Sequence, residues 1–156
     1  MQRPTYGFDR VRAARFLAIA AFAALSWAAN AQEVAFKTSQ VKVGPHALKV
    51  ELALSEEQRE HGLMFRKALG RDDGMVFVFD EPAYESMWMK NTLIPLSVAF
   101  LDGDGRILNV LDMQPQTLDT HTSAGPARYA IETNIGWFER NKVKAGDKVT
   151  GLPPLK

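Results

Sequence analysis

Short apolar segments separated by closely spaced turn residues constrain the fold of this chain more than any other feature. In residues 46–54 every second residue is apolar, which is typical of a half-buried strand: Leu48, Val50, Leu52 and Leu54. Gly44-Pro45 just before this segment is a turn signal. Residues 102–105, with the sequence Asp-Gly-Asp-Gly, indicate a hairpin turn further along.

The remaining segments extend this pattern over the chain. Residues 94–101 are apolar on both faces and predict a central strand, whereas 115–126 are expected to form a polar loop. Asp80-Glu81-Pro82 is expected to end the strand before it. Strands are predicted at 35–43, 46–54, 74–79, 85–90, 94–101, 106–113, 128–133 and 148–151. We therefore expect a mainly β, single-domain β-sandwich or barrel-like fold with one or two short helices.

One helix has clear start and stop signals. Ser55 is a good N-cap, and Gln58 lies three residues later, as a capping box requires. Gly62 is expected to end this helix after about two turns. A second short helical turn is predicted within 136–142.

Residues 1–31 have the three parts of a cleavable signal peptide. A basic start is followed by an uncharged apolar run at 16–27 and by Ala29-Asn30-Ala31, a small-x-small cleavage pattern. The apolar run is much shorter than the roughly 20 residues of a membrane-spanning helix. We expect cleavage after Ala31, a single domain over 32–156, and a periplasmic or secreted location.

The predicted cleavage changes the charge of the protein. The whole chain has 19 Lys and Arg against 18 Asp and Glu, a formal net charge of +1. Loss of four arginines and Asp9 changes this to −2, which gives no electrostatic case for nucleic acid. The chain has no Cys, so we expect no disulfide and no lipid anchor. Because the apolar run is short and cleaved off, we also expect no membrane anchor after cleavage. We also expect no cofactor.

A polar cluster just before the predicted central strand is the first candidate binding site. Trp88, Lys90, Asn91 and Thr92 combine an aromatic ring, a cation, an amide and a hydroxyl within five residues. Such a set can bind a sugar or a peptide by stacking and hydrogen bonds. It can equally form a structured corner in which Asn91 and Thr92 bond the local backbone.

Glu132 is the second candidate, because it lies in an otherwise apolar strand segment. Burial there is expected to shift its pKa. A buried ion pair with Arg66 or Lys90 is the favoured interpretation. The alternative is an envelope hydrolase that uses Glu132 as acid or base with a second carboxylate within about 5–10 Å. No nucleophile motif supports Ser or Cys catalysis, so no catalytic residue is assigned.

Met87 and Met89 are a weaker candidate for a metal site. On a strand, two thioethers two residues apart share one face, and thioethers suit Cu(I). Packing of both methionines in the core is the favoured interpretation, because methionine fills irregular gaps beside aromatic rings.

Several motifs in series resemble the bacterial and archaeal family catalogued as domain of unknown function number 192. They are His61-Gly62-Leu63-Met64-Phe65-Arg66, Gly74-Met75-Val76-Phe77, Trp88-Met89-Lys90-Asn91-Thr92, Ile94-Pro95-Leu96, Tyr129-Ala130-Ile131-Glu132 and Gly146-Asp147. The resemblance covers about 38–151 and implies a compact, mostly β single domain without an established activity. The family commonly has Asp after Ile-Pro-Leu, where this chain has Ser97.

The leading hypothesis is a non-enzymatic binding module of the cell envelope. Arg66, Lys90 and Glu132 are expected to meet near Trp88 in a shared groove, with Asn91 and Thr92 beside it. The expected ligand is a small molecule, a glycan or an envelope protein.

Overall fold

The computed structural model describes residues 34–155, so the predicted signal peptide and its cleavage site lie outside the described residues. The protein is mainly β with two short helices in this range. The strands are β1 (Lys37–Val43), β2 (His46–Ala53), β3 (Asp73–Ala83), β4 (Ser86–Met87), β5 (Leu96–Leu101), β6 (Ile107–Met113), β7 (His121–Thr122), β8 (Ala127–Asn134) and β9 (Val149–Thr150). The helices are α1 (Glu56–His61) and α2 (Trp137–Arg140).

Seven of these strands form one sheet, in the order β6-β5-β8-β3-β2-β1-β9. The neighbours are antiparallel except β2 and β3, which are parallel and are connected through α1. Parallel neighbours need a crossover connection, and α1 with the segment after it provides one. A separate two-stranded ribbon pairs β4 with β7.

The sheet curls until its two edges approach each other. Arg106, just before β6, forms an isolated antiparallel β-bridge with Lys148, just before β9. The amide of Ile107 donates to the carbonyl of Asp147 at 2.9 Å, and the amide of Val149 donates to that of Gly105 at 2.8 Å. The result is a half-barrel, which confirms the predicted mainly β, barrel-like class.

The curl separates two apolar cores. The inner cluster draws on strands at both edges of the sheet and on α2, so it fills the inside of the curl; its largest members are Trp137, Phe138, Leu48, Leu101 and Ile107. The outer cluster lies on the opposite face of β3, β5 and β8, under the segments that follow α1 and β4; its largest members are Phe77, Phe100, Met75, Met89, Leu63, Leu96 and Met113. Strands β3, β5 and β8 are therefore covered on both faces.

The locally encoded elements are confirmed. Ser55 accepts a hydrogen bond from the amide of Gln58, and the Gln58 side chain bonds back to the amide of Ser55, which completes the capping box. Gly62 ends α1 with a φ of 48°. Residues 44–45 and 102–105 form the two predicted hairpin turns. All six residues of β5 are buried, as expected of a central strand.

Three boundaries were wrong. β3 continues through Asp80-Glu81-Pro82 to Ala83, because the pairing of β3 with β8 is interrupted between Val78 and Ala83 and Pro82 breaks no ladder bond. The strand expected over 85–90 is shorter in the structure, where β4 comprises only Ser86–Met87. The loop expected over 115–126 contains β7, which is too short to show periodicity. No helix within residues 34–155 is long and apolar enough to span a bilayer.

Candidate functional site

A cavity of about 510 Å³ lies on the outer face of the sheet, beside α1 and the end of β3. Its wall combines apolar side chains, one indole and a set of charged groups. The lining residues are Glu56, Arg59, Glu60, His61, Gly62, Leu63, Met64, Phe77, Phe79, Asp80, Glu81, Ala83, Glu85, Ser86, Met87, Trp88, Thr92 and Glu132. Three of the six predicted ligand-binding residues, Trp88, Thr92 and Glu132, thus share one cavity.

Glu132 is the most unusual group in this wall. On β8 it is the register partner of Met75 on β3 and of Val98 on β5, both fully buried members of the outer cluster. Only 4% of Glu132 is exposed, and this desolvation raises the pKa of its carboxyl to about 8. A carboxyl in this position is largely protonated at neutral pH.

Glu132 does not form the expected ion pair. Arg66 is bonded to Glu51 instead, and Lys90 lies over the ring of Trp88. Neither of the two ion pairs within residues 34–155 includes Glu132, and burial alone sets its pKa. The expectation fails because Arg66 pairs with Glu51 on β2 instead, and sequence spacing does not report which strands lie next to each other.

Trp88 lies at the surface of the cavity, with 52% of the residue exposed. The ammonium nitrogen of Lys90 lies 5.7 Å from the centroid of the Trp88 ring. This is the geometry of a cation–π contact. An exposed indole next to a cavity offers a large, rigid surface for a ligand at little conformational cost.

Residues 89–92 form a tight corner that holds Trp88 in place. Asn91 has a φ of 57°, a left-handed conformation that Asn tolerates better than most residues. Its carbonyl accepts from the amide of Phe65 at 2.9 Å, and the amide of Thr92 donates to the carbonyl of Met89 at 3.1 Å. Thr92 is buried and its hydroxyl donates to the carbonyl of Lys90 at 3.4 Å. Asn91 therefore shapes the corner, while Thr92 also lines the cavity.

Carboxylates predominate among the charged lining residues within residues 34–155: Glu56, Glu60, Asp80, Glu81 and Glu85 against the single guanidinium of Arg59. Arg59 links α1 to β3 by donating to the carbonyl of Val78 and to Asp80 Oδ2, both at 2.9 Å. Burial raises the pKa of Glu85 above its usual range, and Arg59 offsets this in part. These five carboxylates, Glu56, Glu60, Asp80, Glu81 and Glu85, are called the acidic rim below.

The two methionines lie in different environments. Met87 is half-buried in β4 and lines the cavity, whereas Met89 is fully buried in the outer cluster beyond the end of that strand. The premise that both share one strand face is therefore wrong, and copper binding itself stays a prediction. His121 is the register partner of Met87, and its Nδ1 is buried without a partner within residues 34–155.

Sequence reasoning missed the contribution of α1 to the cavity. Glu56 and Glu60, four residues apart, line it, while Glu57 does not. The four-residue spacing places the first two on one helix face, so the signal was present in the sequence. What the sequence lacked was any indication of which surface this face would meet.

Residues 38–151 match the family described as uncharacterized ACR, domain of unknown function number 192. The chain belongs to this family. Its members supply no established activity, and no functionally curated protein matches the chain.

Two solved structures of similar proteins agree with this membership. A Sinorhizobium meliloti 1021 protein, described as a candidate transcription regulator, is 37% identical and covers 76% of this chain and 97% of its own, with a TM-score of 0.73. A protein of unknown function from Novosphingobium aromaticivorans DSM 12444 is 33% identical and covers 77% of this chain and 95% of its own, with a TM-score of 0.70.

One departure from the domain of unknown function 192 pattern has a structural counterpart. Ser97, where the family commonly has Asp, donates to Asp112, its register partner on β6. The Ser97 hydroxyl also accepts from the amide of Gly136 at 2.8 Å, which anchors the turn before α2. Ser97 thus belongs to the support of α2 and lies outside the cavity lining.

Proposed function

We propose that this protein is an exported, non-enzymatic binding module of the cell envelope that takes a ligand into the cavity of Glu132 and Trp88. The observation that carries this proposal is a carboxyl, only 4% exposed, in the wall of a cavity of about 510 Å³. Burial of such a group without a partner costs free energy, and a ligand that bonds it recovers part of that cost.

The composition of the cavity wall supports a binding role. Small-molecule sites are concave, mostly apolar and contain a few placed polar groups. Leu63, Phe77, Phe79 and Trp88 supply apolar surface here, and Thr92 and Glu132 supply hydrogen-bonding groups. The volume lies within the range of about 300–1,000 Å³ that is usual for ligand pockets.

The export component of the proposal comes from the leader sequence. A basic start, a short apolar run and Ala29-Asn30-Ala31 support secretion and cleavage. The absence of Cys from the whole chain agrees with a product that is neither lipidated nor disulfide-bonded.

The description of the Sinorhizobium meliloti neighbour raises a role in transcription. Charge argues against that role for this chain. DNA binding depends on Lys and Arg that neutralise phosphates, and the formal net charge of residues 32–156 is −2. The acidic rim of the cavity would also repel a phosphate backbone.

The proposal is tested by a protein-observed NMR screen of small neutral and charged fragments against the isotopically labelled chain from Gln32 onward. We expect hits that shift the indole resonance of Trp88 and lose affinity at least tenfold in Trp88→Ala. Because Trp88 is half exposed, this variant is expected to keep its melting temperature within a few degrees.

A blocking variant provides the control. Ala83 is an exposed residue of the cavity wall, and Ala83→Trp is expected to fill the opening and abolish binding. Ala124 is exposed and lies outside the lining, so Ala124→Trp is expected to bind as the wild type does. Hits that survive Ala83→Trp, or a screen without any hit at Trp88, would remove this cavity as the binding site.

A hydrolase remains the second candidate, because Glu85 and Glu132 line the same cavity and burial raises the pKa of both. Acid–base catalysis needs a group whose pKa lies near the working pH, and burial moves the pKa of both carboxyls in that direction. Incubation of the protein with envelope glycan or peptide, followed by mass spectrometry, tests this candidate. Release of fragments that Glu132→Gln abolishes would favour the enzyme; intact material would favour the binding module.

A further inference from the structure

The lining of the cavity is strongly biased toward negative charge. Glu56 and Glu60 reach it from α1, Asp80 and Glu81 from β3, and Glu85 from the segment before β4. Arg59 is the one lining guanidinium within residues 34–155, and Asp80 already binds it at 2.9 Å. A concave surface lined by one sign of charge concentrates ligands of the opposite sign.

The second observation is independent of these carboxylates and concerns a buried residue of the same wall. Glu132 is more than nine-tenths buried, lines the cavity, and forms no ion pair within residues 34–155. The side chains of its two register partners, Met75 and Val98, offer its carboxyl neither a charge nor a strong hydrogen-bond donor. A carboxyl in such a place gains most from a group that brings both a positive charge and a hydrogen-bond donor.

The third observation concerns the mouth of the cavity. Trp88 already carries the ammonium of Lys90 at 5.7 Å from its ring centroid, so this indole is positioned as a cation–π platform. Thr92 lies in the same wall, and its hydroxyl donates to the carbonyl of Lys90, which leaves its oxygen free to accept. An entering ammonium therefore meets an indole, a hydroxyl oxygen and a carboxyl.

We propose that the cavity binds an organic cation, a primary ammonium on an apolar stem, with the ammonium at Glu132 and the stem along Leu63, Phe77 and Phe79. This inference rests on the proposed binding function and specifies its ligand class. The acidic rim draws the cation in, and the apolar wall removes the stem from water.

The number of protons released on binding follows from the protonation of Glu132 before the ligand binds. Burial raises the pKa of Glu132 to about 8, so at pH 7 most of the empty protein carries a proton on this carboxyl. The bound ammonium keeps its own three protons and favours the carboxylate. Binding therefore releases up to one proton from Glu132 to solvent, and no other bond forms or breaks.

The titratable groups that line the cavity together with Glu132 are Glu56, Arg59, Glu60 and His61 from α1, Asp80 and Glu81 from β3, and Glu85. The β5 neighbour and the 89–92 corner contribute Val98 and Thr92, which do not titrate. The affinity for an ammonium is expected to rise about tenfold per pH unit between pH 6 and pH 8 and to level off above the pKa of Glu132.

For a neutral ligand that only accepts a hydrogen bond, the expected pH dependence of the affinity is the opposite. It needs Glu132 protonated, so its affinity falls above pH 8 and no proton is released. An anionic ligand is opposed by the charge of the lining carboxylates over the range from pH 6 to pH 8. The sign of the pH dependence and the proton count thus identify the ligand class.

The experiment is isothermal titration calorimetry of the chain from Gln32 onward with n-hexylammonium, 1-hexanol and hexanoate, at pH 6, 7 and 8 and in two buffers of different ionisation enthalpy. We expect hexylammonium to bind at least tenfold more tightly than 1-hexanol at pH 8, with close to one proton released at pH 6. A parallel titration with the peptide acetyl-Leu-Lys-Leu-amide distinguishes a small-molecule amine from a lysine side chain as the source of the ammonium.

Matched variants connect the result to the residues. Glu132→Gln is expected to weaken hexylammonium binding at least tenfold at pH 8 and to abolish proton release. Glu56→Gln with Glu60→Gln is expected to weaken binding at low salt, whereas Glu57→Gln, on the same helix but outside the lining, is expected to leave it unchanged. Hexylammonium binding that Glu132→Gln does not weaken would overturn the proposal.

The outcomes separate this inference from the binding function itself. Binding of 1-hexanol or hexanoate at Trp88 as tight as that of hexylammonium, without proton release, overturns the cation class and leaves the cavity a binding site. Absence of binding by all four probes also overturns the cation class, while the fragment screen with Ala83→Trp decides the binding function independently.

Discussion

Glu132 on β8 faces Met75 on β3 as its direct register partner, on the outer side of the sheet, and forms an ion pair with no residue of 34–155. This relationship joins a carboxyl to a fully buried apolar neighbour at the wall of a cavity. It accounts for the raised pKa of Glu132, and it makes the stability of the fold depend on pH.

The first prediction concerns that pH dependence. Between about pH 4.5 and about pH 8 Glu132 is ionised in the unfolded chain but protonated in the folded one, so the unfolded state binds fewer protons. The free energy of unfolding is therefore expected to fall as pH rises through this window, by a few kcal/mol in all from this group. Glu132→Gln removes the titration, so its stability relative to wild type is expected to increase from pH 4.5 to pH 8.5.

Urea denaturation of both proteins across this range measures the difference. Glu57→Gln, an exposed substitution on α1, is the control and is expected to run parallel to wild type. Parallel curves for Glu132→Gln and wild type would show that Glu132 is solvated in the folded state.

The second prediction concerns Gly74, which opposes Thr133 on β8. A Cβ at Gly74 would lie 2.5 Å from the backbone carbonyl oxygen of Glu132, a contact that a strand can relieve only by moving apart from its neighbour. Gly74→Ala is expected to destabilise the fold by about 1–3 kcal/mol and to shift the amide resonances around Glu132. Gly103→Ala, whose Cβ would meet only side-chain atoms at 3.7 Å, is the control and is expected to change stability little.

The third prediction concerns Arg59, which holds α1 against β3. It donates to the carbonyls of Leu54 and Val78 and to Asp80. Arg59→Met leaves the part-buried carbonyl of Val78 without its donor and is expected to cost about 1–3 kcal/mol in urea denaturation. Asp80→Asn breaks only the exposed ion pair and is expected to cost less than about 1 kcal/mol. Equal costs for both variants would place the stabilisation in the ion pair instead.

The fourth prediction concerns the precursor. Expression of the full chain in a Gram-negative host is expected to yield a periplasmic product that begins at Gln32, because Ala29-Asn30-Ala31 is the cleavage pattern. N-terminal sequencing and cell fractionation measure this. Ala31→Arg is expected to leave the precursor uncleaved, and a cytoplasmic, full-length product of the unaltered chain would contradict the export proposal.

The elements that the sequence predicted well are those whose causes lie within a few residues. The Gly44-Pro45 turn, the 102–105 turn and the capping box of Ser55 and Gln58 depend on local φ values and on hydrogen bonds between near neighbours. The family motifs likewise identified the fold, because six motifs in series leave little room for a different fold.

The sequence by itself determined the mainly β class, the ends of α1 and the family of the chain, because turn sterics, capping and alternation act over short distances. Only the tertiary structure decided that β2 and β3 run parallel, that β3 continues through Pro82, and that Arg66 pairs with Glu51 rather than with Glu132. The protonation state of Glu132 also belongs to the features that only the tertiary structure decided. Its pKa depends on how far neighbouring side chains shield the carboxyl from water. Its register partners on the two adjacent strands, Met75 and Val98, lie 57 and 34 residues away along the chain.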